Sequence, residues 1–457
     1  MSNNNEIDEL INKSFDYPLG LESVEQRLEE RIRREKRRKK TTAAFFSTAA
    51  ALMFIVLINT SVAFAGIVAE IPLLGRIAEY VKFDRSLAST IENDYIQKTG
   101  LISIDGQEKL LLPYVIADEK NLVLFFQLPD NFSLSENQWA GISLIDMTDG
   151  STGEKIEGFG YSSSNISAEG IRKDGTIILQ NYHFSEGSLP QSVNINVSLK
   201  KETYDNEEGE KDENISSDTI DMPEVQSVGN FSFSIKFNEF AKPVNYVFNQ
   251  EHMILGQKII LKEMNVYPTG TEVLFEFSKD NAAWVKGLEL ALEENGVERF
   301  RGKDGISATH DESNTWMKVY IQSDYFEKPK EQQLVIKGIR LIDKEEEFLS
   351  VDLDKMKMTP EVEGIKLVKA EKNGGSVSLV FESRTLKGDT FGMFNHEYTD
   401  SEGNVYGLWS EGSSTAGDTM QTSITVEYPN SGIVILKRDL SVKNMLDEPI
   451  RVSLPAQ

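Results

Sequence analysis

Histidine and cysteine carry much of the nucleophilic and metal chemistry of proteins, and this chain has four of the first and none of the second. The absence of cysteine removes thiol nucleophiles, disulfide scaffolds, cysteine zinc sites and iron–sulfur clusters. His183, His252, His310 and His396 stand far apart in the sequence, and none belongs to an HExxH or similar ligand pair. His310-Asp311 and His396 offer parts of a serine–histidine–acid triad, yet no G-x-S-x-G elbow surrounds any serine. Asp146-Met147-Thr148-Asp149-Gly150 and Asp400-Ser401-Glu402-Gly403-Asn404 are rich in oxygen ligands. Neither continues into a twelve-residue calcium loop with its terminal glutamate, and both read as turns. Carboxylate runs such as Glu345-Glu346-Glu347 arise by chance among 73 acidic residues and imply no acid–base pair. Phosphate loops, dinucleotide fingerprints and nucleic-acid motifs are missing. The expectation is a chain with no catalytic residue, cofactor or metal, which is not an enzyme and does not contact nucleic acid directly.

The elements that would position any site divide sharply by charge. The chain has 457 residues, 48 basic against 73 acidic, and 39% apolar residues, too long for one domain and too apolar for wholesale disorder. Residues 1–40 carry ten basic and nine acidic side chains, which leaves 38 basic against 64 acidic for the remainder. Between the two parts, Thr41 to Ala69 is uncharged and includes the apolar run Ala49 to Ile58. About 20 apolar residues span a bilayer as a helix. The run Arg31 to Lys40, with eight cations and one acid, precedes it and marks the cytoplasmic side. Attraction to anionic lipid explains this basic patch. A transmembrane helix over 41–65 is therefore expected, with residues 66–457 outside the cell. Ala63-Phe64-Ala65 before Gly66 has the small-x-small pattern of signal peptidase sites, but an n-region of about 42 residues is far longer than usual. We expect a retained anchor, with Ala63, Ala65 and Gly66 marking where a regulated cleavage would fall. A cysteine-free exported region suits a Gram-positive surface, where folding does not rely on disulfides.

On the cytoplasmic side, Tyr17-Pro18-Leu19-Gly20 reads as a turn, after which Leu21, Val24, Leu28 and Ile32 recur at helical spacing in a Glu- and Arg-rich stretch. Forty residues hold nothing to cover that stripe. It reads either as a partner-binding helix or as a juxtamembrane stalk. Outside, residues 66–97 hold two short amphipathic helices. Pro72 opens one with Leu73, Ile77 and Val81, and Asp84 caps the other with Leu87, Ile91 and Tyr95; they either pack on the first β domain or lie on the lipid surface.

From about Gly100 the pattern turns to short alternating runs broken by Gly, Asn and Asp, the signature of antiparallel β domains. One plan recurs three times. Each copy has a strongly apolar strand, Leu122–Phe126, Val273–Phe277 and Val377–Phe381. Next comes an alternating strand and a polar turn, ending at Asp149-Gly150, Asn295-Gly296 and Gly403-Asn404. Closing strands follow at Val193–Val197, Leu334–Lys337 and Val434–Lys437. The last two copies share a further ending, Phe348–Leu353 against Ile450–Leu454. The expected fold is mainly β, with three immunoglobulin-like sandwiches at 98–200, 225–358 and 359–457. Residues 201–224, with ten acids and two lysines, read as a linker or long solvated loop.

The layout resembles a family of Gram-positive single-pass membrane proteins. The likeness is carried by Ile11-Asn12-Lys13-Ser14-Phe15, Tyr17-Pro18, the Glu/Arg helix, the basic run, the span ending in Ala63-Phe64-Ala65, and Ile71-Pro72-Leu73-Leu74-Gly75. That family's ectodomains are chiefly domains of unknown function, and its members are commonly taken as anti-sigma factors of the extracytoplasmic function class. The resemblance implies that the inner segment binds a sigma factor while the ectodomain senses an unidentified envelope ligand or protein. The chain departs from better-known anti-sigma factors in lacking their His-x-x-x-Cys-x-x-Cys zinc motif. A surface-anchored structural or adhesive protein with no transcriptional role is the alternative.

The topology has a direct test. Protease added to intact wall-less cells should remove residues 66–457 and leave residues 1–40; protection of the β region would overturn the orientation.

Overall fold

The computed structural model describes residues 76–455 apart from 78–79, 82–83, 173–174, 205–222, 295–296, 301–307, 312, 328–330, 385–391, 417 and 428–431. The expected span 41–65, the stripe Leu21, Val24, Leu28 and Ile32, and the residues Ala63, Ala65 and Gly66 lie outside the described residues. Among the described residues no helix is long and apolar enough to cross a membrane.

Helix α1 (Arg85–Glu92) begins where Asp84 caps it, its carboxylate accepting from Leu87 N at 3.1 Å. The first β unit holds β1 (Gln97–Asp105), β2 (Glu108–Ala117), β3 (Asn121–Gln127), β4 (Gln138–Asp149), β5 (Phe159–Ser163), β6 (Ile166–Ser167), β7 (Ile177–Phe184), β8 (Ser192–Thr203) and β9 (Glu224–Lys236). The second unit opens with β10 (Val244–Ile254), β11 (Gln257–Tyr267), β12 (Gly270–Phe277), β13 (Ala283–Glu294), β14 (Val297–Phe300), β15 (Ala308–His310), β16 (Trp316–Ile321) and β17 (Gln332–Asp343). The third contains β18 (Phe348–Asp352), β19 (Lys357–Thr359), β20 (Ile365–Asn373), β21 (Ser376–Arg384), β22 (Phe394–Asp400), β23 (Val405–Gly407), β24 (Ser410–Ala416), β25 (Thr419–Glu427) and β26 (Ile433–Arg438); β27 (Val442–Ser453) follows.

Each unit is two sheets over one core. The sheets run β1-β2-β3-β7-β5 and β6-β4-β8-β9 in the first unit, and β10-β11-β12-β16-β15 and β14-β13-β17-β27 in the second. In the third they run β20-β21-β25-β24 and β19-β18-β26-β22-β23. Phe126, Tyr182, Val197 and Phe233 share the first core, Phe275, Leu292 and Ile336 the second, and Phe381, Tyr398 and Leu436 the third.

The unbroken apolar run Leu122–Phe126 now has its cause. Leu122, Leu124 and Phe126 face the first core, while Val123 and Phe125 face outward, where Ile77, Val81, Leu87, Ala88 and Ile91 cover them. A strand buried on both faces has no polar side to alternate with. The membrane-proximal residues Ile77 and Val81, and helix α1, thus pack on protein, the first of the two dispositions open from sequence. The outer edge of β9 is closed by side chains of β1: Asp105 accepts from Asn230 N at 2.8 Å, Ser103 from Ser232 N at 3.0 Å, and Gln97 donates to Lys236 O at 2.8 Å.

Three expected boundaries move. Glu224–Lys236 pairs with Ser192–Thr203 from Thr203↔Glu224 to Ser192↔Lys236, so it closes the first unit and does not open the second. The acidic stretch 205–222 therefore joins two neighbouring strands of one sheet rather than two domains. The other two changes are reciprocal. Phe348–Asp352, expected to end the second unit, pairs antiparallel with β26 of the third, and Val442–Ser453, expected to end the third, pairs antiparallel with β17 of the second. Both occupy the place that β9 holds beside β8. The second and third units have exchanged their closing strands, so the third is threaded into the second between β17 and β27. The crossing segments touch, with Arg438 N donating to Glu347 O at 2.8 Å and Arg438 Nη1 bridging Glu346 Oε2 at 2.9 Å.

This nesting predicts that a chain ended after Leu440 leaves the second core open where Val452 and Leu454 are 4% and 8% exposed. Hydrogen exchange should then accelerate across β13 and β17 while β21 and β25 keep their protection. In the full chain, Val452→Asp should cost at least about 3 kcal/mol, the penalty of an uncompensated buried charge, on chemical denaturation.

Candidate functional site

Most of the chemistry-bearing residues of the sequence serve local structure. Asp311 beside His310 accepts from Thr315 N at 2.6 Å, Thr315 Oγ1 at 2.7 Å and Trp316 N at 3.0 Å, which holds a turn and lowers its carboxyl below the usual range against the opposing effect of burial. Asp149 accepts from Ser151 N and Thr152 N, and Asp400 from Glu402 N, Asn404 N, Asn404 Nδ2 and the Tyr406 hydroxyl. Asp149 and Asp400 thus hold their own turns, while Asp146 accepts from Asn196 Nδ2 of the neighbouring strand at 2.7 Å. His396 is exposed, 3.7 Å from Glu411, and His252 is half-buried on β10. These histidines do not come together.

His183 is different. It lies at the joint between the first two units, beside the buried polar residues Asp118, Asn121, Thr269 and Glu272. Two hairpin turns meet there. Asp118, fully buried in the β2–β3 turn, accepts from Lys120 N and Asn121 N of its own turn, each at 2.9 Å. Its other oxygen accepts from Thr269 N at 2.9 Å and Thr269 Oγ1 at 2.6 Å, both in the β11–β12 turn of the second unit. Two hydrogen bonds within one domain therefore shape an acceptor for two from the next.

Beside this docking, the outer face of β12 and β16 turns toward the first unit. The register sets Glu272 opposite Tyr320, Leu274 opposite Lys318 and Glu276 opposite Trp316. His183 stands against the edge of the Tyr320 ring, with centroids 4.1 Å apart, and its Nε2 is 3.9 Å from Glu272 Oε1. Its Nδ1 contacts Asn121 Oδ1 at 2.9 Å. Lys120 Nζ donates to Gly187 O at 2.6 Å, and Lys318 Nζ, from the other unit, to Ser185 O at 3.1 Å. Burial raises the Glu272 carboxyl above its ordinary value, opposed by both lysines, and lowers Lys120. An open cleft of about 420 Å³ continues from here, between Lys120, Gly187, Leu274, Trp316 and Lys318.

Helix α1 enters the same joint. Arg85 forms a two-pronged pair with Glu327, Ser86 Oγ accepts from Ser323 N at 2.8 Å, and the Tyr95 ring meets Phe326 at 5.7 Å. The Tyr95 hydroxyl also accepts from Ala241 N at 3.2 Å, in the segment joining the two units. The helix that follows the expected span is therefore wedged between both.

A family described as a domain of unknown function, DUF4179, matches residues 34–130. The matched stretch takes in most of the basic run, the apolar segment, α1 and the first three strands; its description names a domain and no sigma-factor activity. No curated protein matches the chain. Among solved structures, a conserved domain protein from Bacillus anthracis is similar at 11% identity over 58% of this chain and 84% of that one, with a TM-score of 0.37. Bovine butyrophilin is similar at 13% identity over 41% of this chain and 92% of that one, with a TM-score of 0.14. An uncharacterized protein of Listeria monocytogenes is similar at 8% identity over 70% of this chain and 29% of that one, also with a TM-score of 0.14. Superpositions this loose carry no argument about fold or activity.

Asp118, Lys120, Thr269, Glu272 and Lys318 escaped the reading of the sequence. Asp118-Glu119-Lys120-Asn121 is an ordinary turn sequence, and Glu272 and Lys318 alternate with core residues as any solvated strand residue does. Substituting Asp118→Ala orphans the buried amides of Asn121 and Thr269, the Thr269 hydroxyl and the half-buried amide of Lys120. At about 1–3 kcal/mol for each buried group left unsatisfied, it should destabilise the joint far more than Thr269→Val, which removes one donor. Thermal unfolding of both variants gives the order; equal effects would show that the four bonds are not used together.

Proposed function

We propose that the chain is a membrane-anchored regulator of the anti-sigma class. In this reading residues 41–65 cross the membrane, the inner helix bearing Leu21, Val24, Leu28 and Ile32 holds a sigma factor of the extracytoplasmic function class, and the immunoglobulin-like units sense the envelope. The observation that supports it best is the position of α1. The helix starts at residue 85, close after the expected span, and its side chains join both the first and second units. A change in the angle between those units moves the segment leading into the membrane. A passive wall-binding surface protein has no need of that coupling. Cleavage at Ala63-Phe64-Ala65, before Gly66, is the release step this reading favours.

The stripe has an affinity test. Burying one large apolar side chain is worth roughly 1.5–3 kcal/mol, and each 1.4 kcal/mol is tenfold in binding. Leu28→Asp with Ile32→Asp should weaken sigma-factor binding to residues 1–40 by about a hundredfold or more and switch on a reporter driven by that sigma factor's own promoter. Matching changes at Arg27 and Glu30 should do little. A silent reporter in cells that insert the double variant at normal levels would sink the anti-sigma assignment.

A further inference from the structure

The cleft that leads out of the first joint is lined by both units and by both signs of charge. Its volume of about 420 Å³ falls within the roughly 300–1,000 Å³ that small-molecule sites occupy. The second unit supplies one wall in register. Next to the buried Glu272–Tyr320 rung come Leu274 with Lys318, then Glu276 with Trp316. The first unit supplies the other wall, with Lys120 from the β2–β3 turn and Ser185, Glu186 and Gly187 from the turn after β7.

The two lysines converge. Lys120 Nζ donates to Gly187 O and Lys318 Nζ to Ser185 O, carbonyls two residues apart in one turn. An ammonium has three hydrogens, so two on each remain for a ligand. Burial lowers the Lys120 ammonium; Glu272, Glu119 and Asp118 oppose that, and the charge of Lys318 adds to it. An anion set between the two cations relieves both their repulsion and their desolvation. Beyond residue 40 the chain carries 38 basic against 64 acidic side chains, so this cationic pair stands out locally as a place that attracts a negative group.

Farther out the chemistry changes. Trp316 lies beside Glu276, which Lys262 pairs at 3.3 Å, and Glu186 stands on the opposite rim. Carboxylates accept hydrogen bonds and cannot donate them, so they suit a ligand rich in hydroxyls. An indole with acceptors around it matches a sugar ring, whose C–H faces are apolar and whose hydroxyls project from the edge. An aromatic acid would leave the same acceptors facing carbon.

We propose that this cleft binds an acidic saccharide, with its carboxylate between Lys120 and Lys318 and a ring face on Trp316. Lys120 belongs to the first unit and Lys318 and Trp316 to the second, so a ligand held this way ties the two units together. As the stimulus of a sensor the saccharide rests on the reading above, whereas the binding site rests on the cleft alone. The experiment measures binding and the joint rather than transcription, so either idea can fail without the other.

The probe is N-acetylmuramic acid, with N-acetylglucosamine, the same ring without the carboxylate, as its control. Of the four tryptophans only Trp316 lines the cleft. In the full chain, held in a detergent with no sugar headgroup, the acid should give a saturable change in tryptophan fluorescence. Lys120→Met and Lys318→Met, which keep the aliphatic stems, should each weaken binding by about tenfold, the order of one charge-assisted hydrogen bond, and N-acetylglucosamine should bind more weakly still. Deuterium exchange locates the ligand. At about ten times the dissociation constant, protection of the Thr269 amide, which donates to Asp118 across the joint, should rise about tenfold. The Ile424 amide in the third unit should not change. Thr269 protection without ligand shows whether each lysine variant keeps the joint; where one does not, the two sugars compared on the natural chain decide. No saturable binding of N-acetylmuramic acid, equal binding of both sugars, or binding that leaves Thr269 protection unchanged overturns the site.

Discussion

A single dehydrated carboxylate sets the geometry of the molecule's first half. Asp118 is fully buried and accepts four hydrogen bonds, two from its own turn and two from Thr269 of the next domain. A carboxylate is suited to this because its two oxygens offer about four acceptor sites; an asparagine in the same place has one oxygen and must face donors with its amino group. The charge gains strength from its amide donors and suffers for its desolvation. The balance holds only while the second unit's turn is docked, because undocking strips away half of the acceptor's partners. The facing of His183 and Glu272, the cleft beside Trp316 and the seating of α1 all follow from where this contact places the two sandwiches.

The two joints differ in kind. Between the second and third units the chain crosses twice, through residues 344–347 and 439–441, and Trp284 Nε1 donates to Glu347 Oε2 at 2.7 Å while Lys344 Nζ sits 4.3 Å from the Trp284 ring centre. Two covalent crossings leave little freedom for rotation. Between the first and second units the chain crosses once, after Lys236, and the rest is side-chain contact. Motion between sandwiches, where it occurs, belongs at the first joint, the one that α1 reports on.

Much of the mainly β architecture was legible because alternation is a local property. Val273–Phe277 or Leu288–Leu292 reveals a strand from its own residues, and the three copies of the plan appear at the expected strands. What alternation does not encode is the partner. Nothing within Phe348–Asp352 or Val442–Ser453 says which sheet receives it, and the assignment by sequence proximity was reversed for both. The same blindness hid the joint: Glu272 looks solvent-facing because it is out of phase with the core, and it became buried only when a second domain covered that face. Helix α1 was the exception, since its cap Asp84 and its buried Leu87 and Ile91 could all be read from spacing alone.

The strand exchange also imposes an order in time. Chains leave a ribosome or an export channel from the N-terminus onward, and a sandwich can close only when its last strand has emerged. The first unit meets that condition once Lys236 is out, but the second, begun at Val244, must wait for Val442–Ser453, made after the whole of the third. In the interval β17 exposes an unpaired edge, the kind of surface that recruits wrong partners. The third unit, which has β18 in hand from the outset, can mature first and hold the missing strand's attachment point beside its destination. Completion of the middle of this protein is thereby made conditional on successful delivery of everything beyond it, a form of proofreading written into connectivity.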